Sequence, residues 1–180
     1  MRLFELTNLV IDTAQDTSVE SVYHITPFDI TELVDDIVES HKDQITRKKL
    51  DVHVEYQPNL QTINADKTRL RFAVQIIFEN AIVYTPESGK IIVKIGFDSA
   101  TDTFNFTIKD SGIGIAKEDI PNLFNKFFRT TNARLADTEG MGIGLYMARK
   151  IVLKHNGEIK VYSEGQNMGT SFNFTIPQQS

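Results

Sequence analysis

Apolar residues recur along this chain in two rhythms, every third or fourth position in some stretches and every second in others. Leu3, Leu6, Leu9, Val10 and Thr13 are spaced by three and four, the end of an amphipathic helix too short to stand without a partner. Val22 to Thr26 reads as a strand stopped by Pro27. Asp29 then caps a helix that turns Leu33, Val34, Ile37 and Val38 inward and closes near the basic Arg47-Lys48-Lys49. Asp51 to Tyr56 alternates as a strand before Pro58. Asp66 opens the longest periodic stretch, with Leu70, Ala73, Val74, Ile77, Phe78 and Ala81 on one face, and Pro86 and Gly89 end it.

The second half repeats the two rhythms. Ile91 to Phe97 and Phe104 to Ile108 predict a hairpin closed by the polar run Asp98 to Asp102. Lys117 to Phe128 carries a short helical signal. Arg129 to Glu139 is polar with no apolar period, and a loop of that length in a compact domain is expected to be mobile or functional, so it reads as a lid. A helix returns from Ile143 to His155, stopped by Asn156-Gly157, and Glu158 to Ser163 with Thr170 to Ile176 forms a second hairpin. The fold class predicted is α/β: a two-layer α/β sandwich, one mixed sheet packed on about three helices, with the outer sheet face toward solvent.

Composition narrows the function. With 180 residues, 41% hydrophobic and 24% charged, the chain is expected to be one soluble domain with a short appendage. A net charge of −5, with no basic run longer than Arg47-Lys48-Lys49, argues against nucleic acid as a ligand. Cysteine is absent and the four histidines include no close pair, which argues against thiolate or zinc sites. No apolar run approaches the roughly 20 residues needed to span a bilayer.

The chemistry concentrates at Asp110-Ser111-Gly112-Ile113-Gly114, an acidic residue at the end of an apolar run followed by two glycines, and at Gly140-Met141-Gly142-Ile143-Gly144-Leu145. A buried carboxylate can accept a hydrogen bond from an exocyclic amine, and glycines let backbone approach a flat ring or a phosphate. Together they suggest a purine nucleotide site, whereas either cluster alone reads more often as a plain turn than as a ligand loop.

With the long helix, these motifs resemble a known family. Phe78-Glu79-Asn80-Ala81-Ile82-Val83-Tyr84-Thr85-Pro86 resembles the N box of the GHKL ATPases, which include sensor histidine kinases, DNA gyrase, mismatch-repair ATPases and a heat-shock chaperone. Asp110 to Gly114 is similar to the G1 box, Phe124 to Phe128 to the F box, Gly140 to Leu145 to the G2 box, and Gly169-Thr170-Ser171-Phe172 to the closing strand. The pattern covers about residues 22 to 177, and its F box and Tyr-Thr-Pro ending point to the histidine-kinase branch. The resemblance implies a Bergerat-type ATP-binding fold over residues 21–180, with residues 1–20 the remnant of a dimerisation helix and its linker. It also implies ATP and Mg2+ as cofactors, and an upstream dimerisation and phosphoacceptor domain as partner. The parent would be a homodimer serving a response regulator indirectly, its catalytic domain cytoplasmic whether or not the parent is anchored in the inner or plasma membrane.

The resemblance assigns roles, each beside a plainer reading. Asp110 would accept the adenine amino group, or only cap a turn; Gly112 and Gly114 would pass under the base, or form that turn. Tyr84 would pack on adenine or belong to the core, and Thr170 would add a hydroxyl near the base or be an ordinary strand threonine. Asn80 would be the magnesium ligand, and Gly140, Gly142 and Gly144, with Leu145, would present amides to the phosphates at a helix start. Arg129 would reach the phosphates from the lid or stay solvated, while Phe124, Phe127 and Phe128 would anchor the lid.

Two positions depart from the pattern. An asparagine one turn before Asn80 is replaced by Ile76, which is not the gyrase-type glutamate either, and a basic residue three after Asn80 is replaced by Val83. Glu79, one step away, is expected on another face of the helix. Compensation could come from Arg69, Arg71, Lys126 or Arg129. His24, His41, His53 and His155 precede Ile, Lys, Val and Asn, so none resembles a phosphoacceptor, which is typically followed by an acidic residue. The reading is the catalytic domain of a sensor histidine kinase that transfers the ATP γ-phosphoryl to a histidine outside this chain. The alternative is a catalytically weak or inactive nucleotide-binding or interaction module.

Overall fold

The computed structural model describes residues 23–178. The helix end expected over Leu3 to Thr13 lies outside the described residues, as does the division at residue 20. The described elements run β1 (Thr26–Phe28), α1 (Ile30–Ser40), α2 (Lys42–Arg47), β2 (Asp51–Tyr56), β3 (Ile63–Ala65) and α3 (Lys67–Tyr84). They continue with β4 (Lys90–Asp98), β5 (Thr103–Asp110), α4 (Thr131–Ala136), α5 (Gly144–Lys154), β6 (Glu158–Tyr162) and β7 (Thr170–Pro177).

Five strands make one mixed sheet in the order β2-β4-β5-β7-β6. β2 and β4 are parallel, as a connection through α3 requires, and every other pair is antiparallel. The period-2 rhythm turns Ile91, Val93 and Ile95 of β4, Phe104, Phe106 and Ile108 of β5, and Phe172, Phe174 and Ile176 of β7 to one face, all buried. The alternate residues Lys94, Asn105 and Lys109 are exposed, so the outer face meets solvent as expected. Phe106 and Phe174 stack across the β5–β7 pair with centroids 4.4 Å apart, and burying each ring stabilises the fold by about 2–3 kcal/mol. The apolar stripes of α1, α3 and α5 cover this inner face, giving the two-layer sandwich on three main helices.

Three elements differ from the sequence reading. The single helix expected from Asp29 to the basic run breaks at His41, because ring Nδ1 lies 2.7 Å from the Ile37 carbonyl that a continuous helix would give to the backbone N–H. The ring's Nε2 sits 3.1 Å from Glu79 Oε1 on α3, and this bond raises the His41 pKa. Pro27 does not stop the first strand but lies within it, opposite Asn64 of β3. A two-stranded ribbon consists of edges, where a missing N–H is tolerated. The helical signal at Lys117 to Phe128 yields only a single 3-10 turn, Ile120–Asn122, and the polar run after it holds α4, whose first turn Thr130 caps by accepting from Ala133 N.

Candidate functional site

The helical layer and the sheet enclose a cavity of about 650 Å³, of the size that takes small molecules. Its walls are the last turns of α3, the turn after β5, the segment from Phe128 to Gly144 that includes α4, the start of α5, and Thr170 and Phe172 of β7. Of the residues expected at the base, the metal or the phosphates, Asn80, Tyr84, Asp110, Gly114, Arg129, Gly140, Gly142, Gly144, Leu145 and Thr170 line it and Gly112 does not.

The period-2 rhythm of β5 carries past Ile108 to Asp110, so its carboxylate stays on the inner face at only 6% exposure. Antiparallel pairing with β7 sets it directly opposite Thr170, a residue 60 positions away. Asp110 Oδ1 accepts from Gly112 N at 2.8 Å and from Thr170 N at 3.1 Å. No hydrogen bond among the described residues reaches Oδ2. The turn-capping and ligand-binding readings are therefore compatible, one oxygen for each. Burial pushes the carboxyl up to about 6 against the pull of the two amides.

Gly112 serves the turn. A Cβ there would lie 2.5 Å from the Tyr84 carbonyl oxygen and 2.7 Å from Asp110 Oδ1, and Ile113 N donates to that same carbonyl at 3.1 Å. This close approach ties the β5 turn to the end of α3, where Tyr84 lines the cavity. Gly114 lines the wall with its back to Gly165. Thr170 is nearly buried, and its hydroxyl has no hydrogen-bond partner among the described residues.

At the other end, the Asn80 carboxamide is half-buried, lines the cavity and makes no hydrogen bond among the described residues. The α5 helix begins after Ile143, whose side chain offers no cap, so its first amides are left for another acceptor. Gly142, at φ 71°, would place a Cβ 2.7 Å from the Phe128 carbonyl oxygen, and Gly144 would place one 3.1 Å from Ile76 Cγ2. Gly140 lines the wall against Arg129 and Asp137, and Leu145 lines it from the first turn of α5.

Arg129 also lines the cavity, but its guanidinium is committed within the lid. It donates to the carbonyls of Gly140 at 2.8 Å and Ala133 at 2.8 Å, to the Asp137 carbonyl, and to Asp137 Oδ2 at 3.3 Å. The other candidate cations are engaged elsewhere: Arg71 with Asp36, Arg69 with Asp66 and the Tyr23 ring, and Lys126 over the Tyr146 ring. Of the three lid phenylalanines, Phe124 packs on the core and Phe128 lines the cavity, while Phe127 is 61% exposed and is tied in by its backbone N–H, which donates to the Gly142 carbonyl at 2.9 Å. Sequence reasoning missed Lys48, which reaches the cavity from the loop after α2. Its signal was the basic run at the end of that helix, read only as a helix stop. Glu79 also borders the cavity, with Oε1 held by Gln75 at 2.7 Å and by His41. Among the described residues no group of three or more His, Cys, Asp or Glu could hold a metal, so a cation here would rest on Asn80 and the ligand's own oxygens.

Residues 65–180 match the family described as histidine kinase-, DNA gyrase B-, and HSP90-like ATPase. The chain belongs to this family. It is 34% identical to the sensor histidine kinase WalK of Bacillus subtilis over 69% of this chain and 21% of WalK. It is 28% identical to the sensor-like histidine kinase SenX3 of Mycobacterium tuberculosis over 98% of this chain and 42% of SenX3. The chain thus spans less than half the length of these curated relatives. The nucleotide-free catalytic domain of the histidine kinase ThkA superposes with a TM-score of 0.75 at 28% identity, covering 86% of this chain and 96% of that domain. ThkA has also been solved in complex with the response regulator protein TrrA. The likeness in fold and extent makes this chain a catalytic domain of the histidine-kinase branch, with the α/β sandwich expected of it. Among the described residues, no helix is long and apolar enough to cross a membrane.

Proposed function

We propose that this chain binds ATP with Mg2+ and, in its full-length parent, delivers the γ-phosphoryl group to a histidine on an upstream dimerisation domain. The observation that carries the reading is Asp110, a buried carboxylate with one oxygen spent on the turn and the other unengaged, on the wall of a cavity that ends at Asn80 and an uncapped helix start. Oδ2 accepts from the adenine amino group and disfavours guanine, which presents a carbonyl oxygen at that edge. Tyr84 packs beside the base and Thr170 adds a hydroxyl. The first amides of α5 and the glycine turn before it receive phosphate oxygens, where the helix dipole favours negative charge.

The residues fit a magnesium ion: the Asn80 carboxamide supplies a neutral oxygen without an internal partner, and phosphate oxygens and waters complete such a site. Bound there, Mg2+ would offset phosphate charge. The chain's own part is positioning. In the transfer, a nitrogen of the acceptor imidazole forms the P–N bond, the bond to the bridging oxygen breaks with its electron pair leaving on ADP, and the imidazole proton goes to solvent. The parent acts as a homodimer whose catalytic domain faces the cytoplasm, and a response regulator takes the phosphoryl group onward.

Titration calorimetry with ADP or ATP and Mg2+ tests the reading. Binding is expected, tighter with Mg2+ than without, and lost in Asp110→Asn. No heat from a folded chain would sink it. One observation favours a second reading, a nucleotide-binding module with little catalysis: Ile76 is buried against Gly144 and offers no polar atom to the phosphate end. That reading predicts affinity indifferent to Mg2+.

A further inference from the structure

We propose that the Lys48 ammonium is the cation that meets the phosphate chain of a bound nucleoside di- or triphosphate, a role that rests on the nucleotide reading above. Among the described residues, three cations line the cavity: Arg47, Lys48 and Arg129. Arg129 is committed to four acceptors within the lid, and Arg47 is exposed. Lys48 is half-buried, and its Nζ donates to the Ile82 carbonyl at 2.7 Å and the Val83 carbonyl at 3.0 Å, two and three residues beyond Asn80. An ammonium has three donors, so one remains.

No carboxylate among the described residues pairs with Lys48, whereas its neighbour Lys49 bonds Glu87 Oε1 at 2.6 Å. Of the carboxylates that line the cavity, Glu79 is engaged with His41 and Gln75, and Asp137 with Arg129. Burial lowers the Lys48 pKa, the mark of a cation drawn out of water without a counter-ion. A half-buried cation held on the backbone carbonyls that end α3, on the wall of the cavity that Asn80 also lines, is completed by an anion. Ordinary capping of the last turn of α3, which has no basic residue of its own, explains the two carbonyl bonds but not the position on the cavity wall.

NMR titrations of the whole chain with adenosine and with ADP plus Mg2+ separate the roles. Lys48→Met is expected to weaken ADP roughly tenfold or more and to change adenosine by less than about twofold, as loss of one charged hydrogen bond predicts. Lys48→Arg should keep most of the ADP affinity, and Lys49→Met should change neither ligand. Equal losses for adenosine and ADP, or no loss for either, would overturn the proposal in favour of helix capping. If unsubstituted protein bound neither ligand, the nucleotide reading itself would fall and this role with it. If Lys48→Met does not fold, the Lys48 ammonium is followed directly in the unsubstituted chain: ADP should raise its pKa and adenosine should not, and a pKa indifferent to ADP overturns the proposal.

Discussion

Burial raises the Asp110 carboxyl to about 6, while an aspartate in the unfolded chain titrates at about 3.9. Between those values the folded chain holds a proton that the unfolded chain has released, so stability falls as pH rises through that window. Above about pH 6 the full cost of the buried charge persists, on the order of 3 kcal/mol. Asp110→Asn keeps an oxygen for the amides of Gly112 and Thr170 and removes the charge. Thermal denaturation should therefore show this variant stabilised at pH 7 and nearly unchanged at pH 4, although its nucleotide affinity is lost. In the unsubstituted chain the affinity for ADP should be flat above pH 6 and fall by up to about tenfold per unit below it. An affinity independent of pH between 5 and 7 would place the ligand away from Asp110.

The elements around the site are joined by side chains that substitute for backbone hydrogen bonds. His41 ends α1 by taking the Ile37 carbonyl onto its ring and ties that end to Glu79 of α3. Arg129 performs the larger task, gathering the carbonyls of Ala133, Asp137 and Gly140 so that a polar run without apolar period closes as a structured lid. Arg129→Met should release it, and amide hydrogen exchange across residues 130–139 should quicken by roughly tenfold or more while the sheet strands keep their protection. Unchanged exchange together with a loss of nucleotide affinity would instead make Arg129 a ligand contact. Within α3, burial extends beyond the stripe read from the sequence to Ile76 and Ile82. Ile76 packs toward Gly144 at the start of α5, so the departure from the family's polar residue is also a helix-packing contact.

Across the whole molecule, the site draws on the end of α3, the turn after β5, the lid, the start of α5 and strand β7, so a nucleotide bound there would brace segments from both layers at once. Positioning without an acceptor yields no transfer. Of the four histidines, His41 and His155 are buried, and none is followed by an acidic residue. Incubated with radiolabelled ATP and Mg2+, this chain should not label itself, whereas a longer parent containing the dimerisation domain should become labelled on histidine. Label on this chain alone would overturn the division of labour, and an unlabelled parent that still binds ATP would favour the non-catalytic module.

Local chemistry made much of this legible beforehand. The rhythms of two and of three to four residues gave both hairpins and the three main helices, because burial of one face dictates the spacing along each element. Asp110, Asn80 and the glycine clusters were recognisable because their residue types stand out against an apolar background. Elements held by distant contacts were not: among the described strands β3 pairs only with β1, the ring that ends α1 at His41 is held from α3 by Glu79, and the polar run of α4 is gathered by Arg129. Lys48 is the clearest case. Its position in the sequence says only that a helix is ending, and nothing local brings its ammonium to the Ile82 carbonyl at the end of α3, 34 positions later. The sequence by itself determined the fold class and the family, since these follow from periodicity and from side-chain types at fixed spacings. Only the tertiary structure decided which cations reach the cavity and which of them are already paired, because that depends on contacts between residues far apart in the sequence.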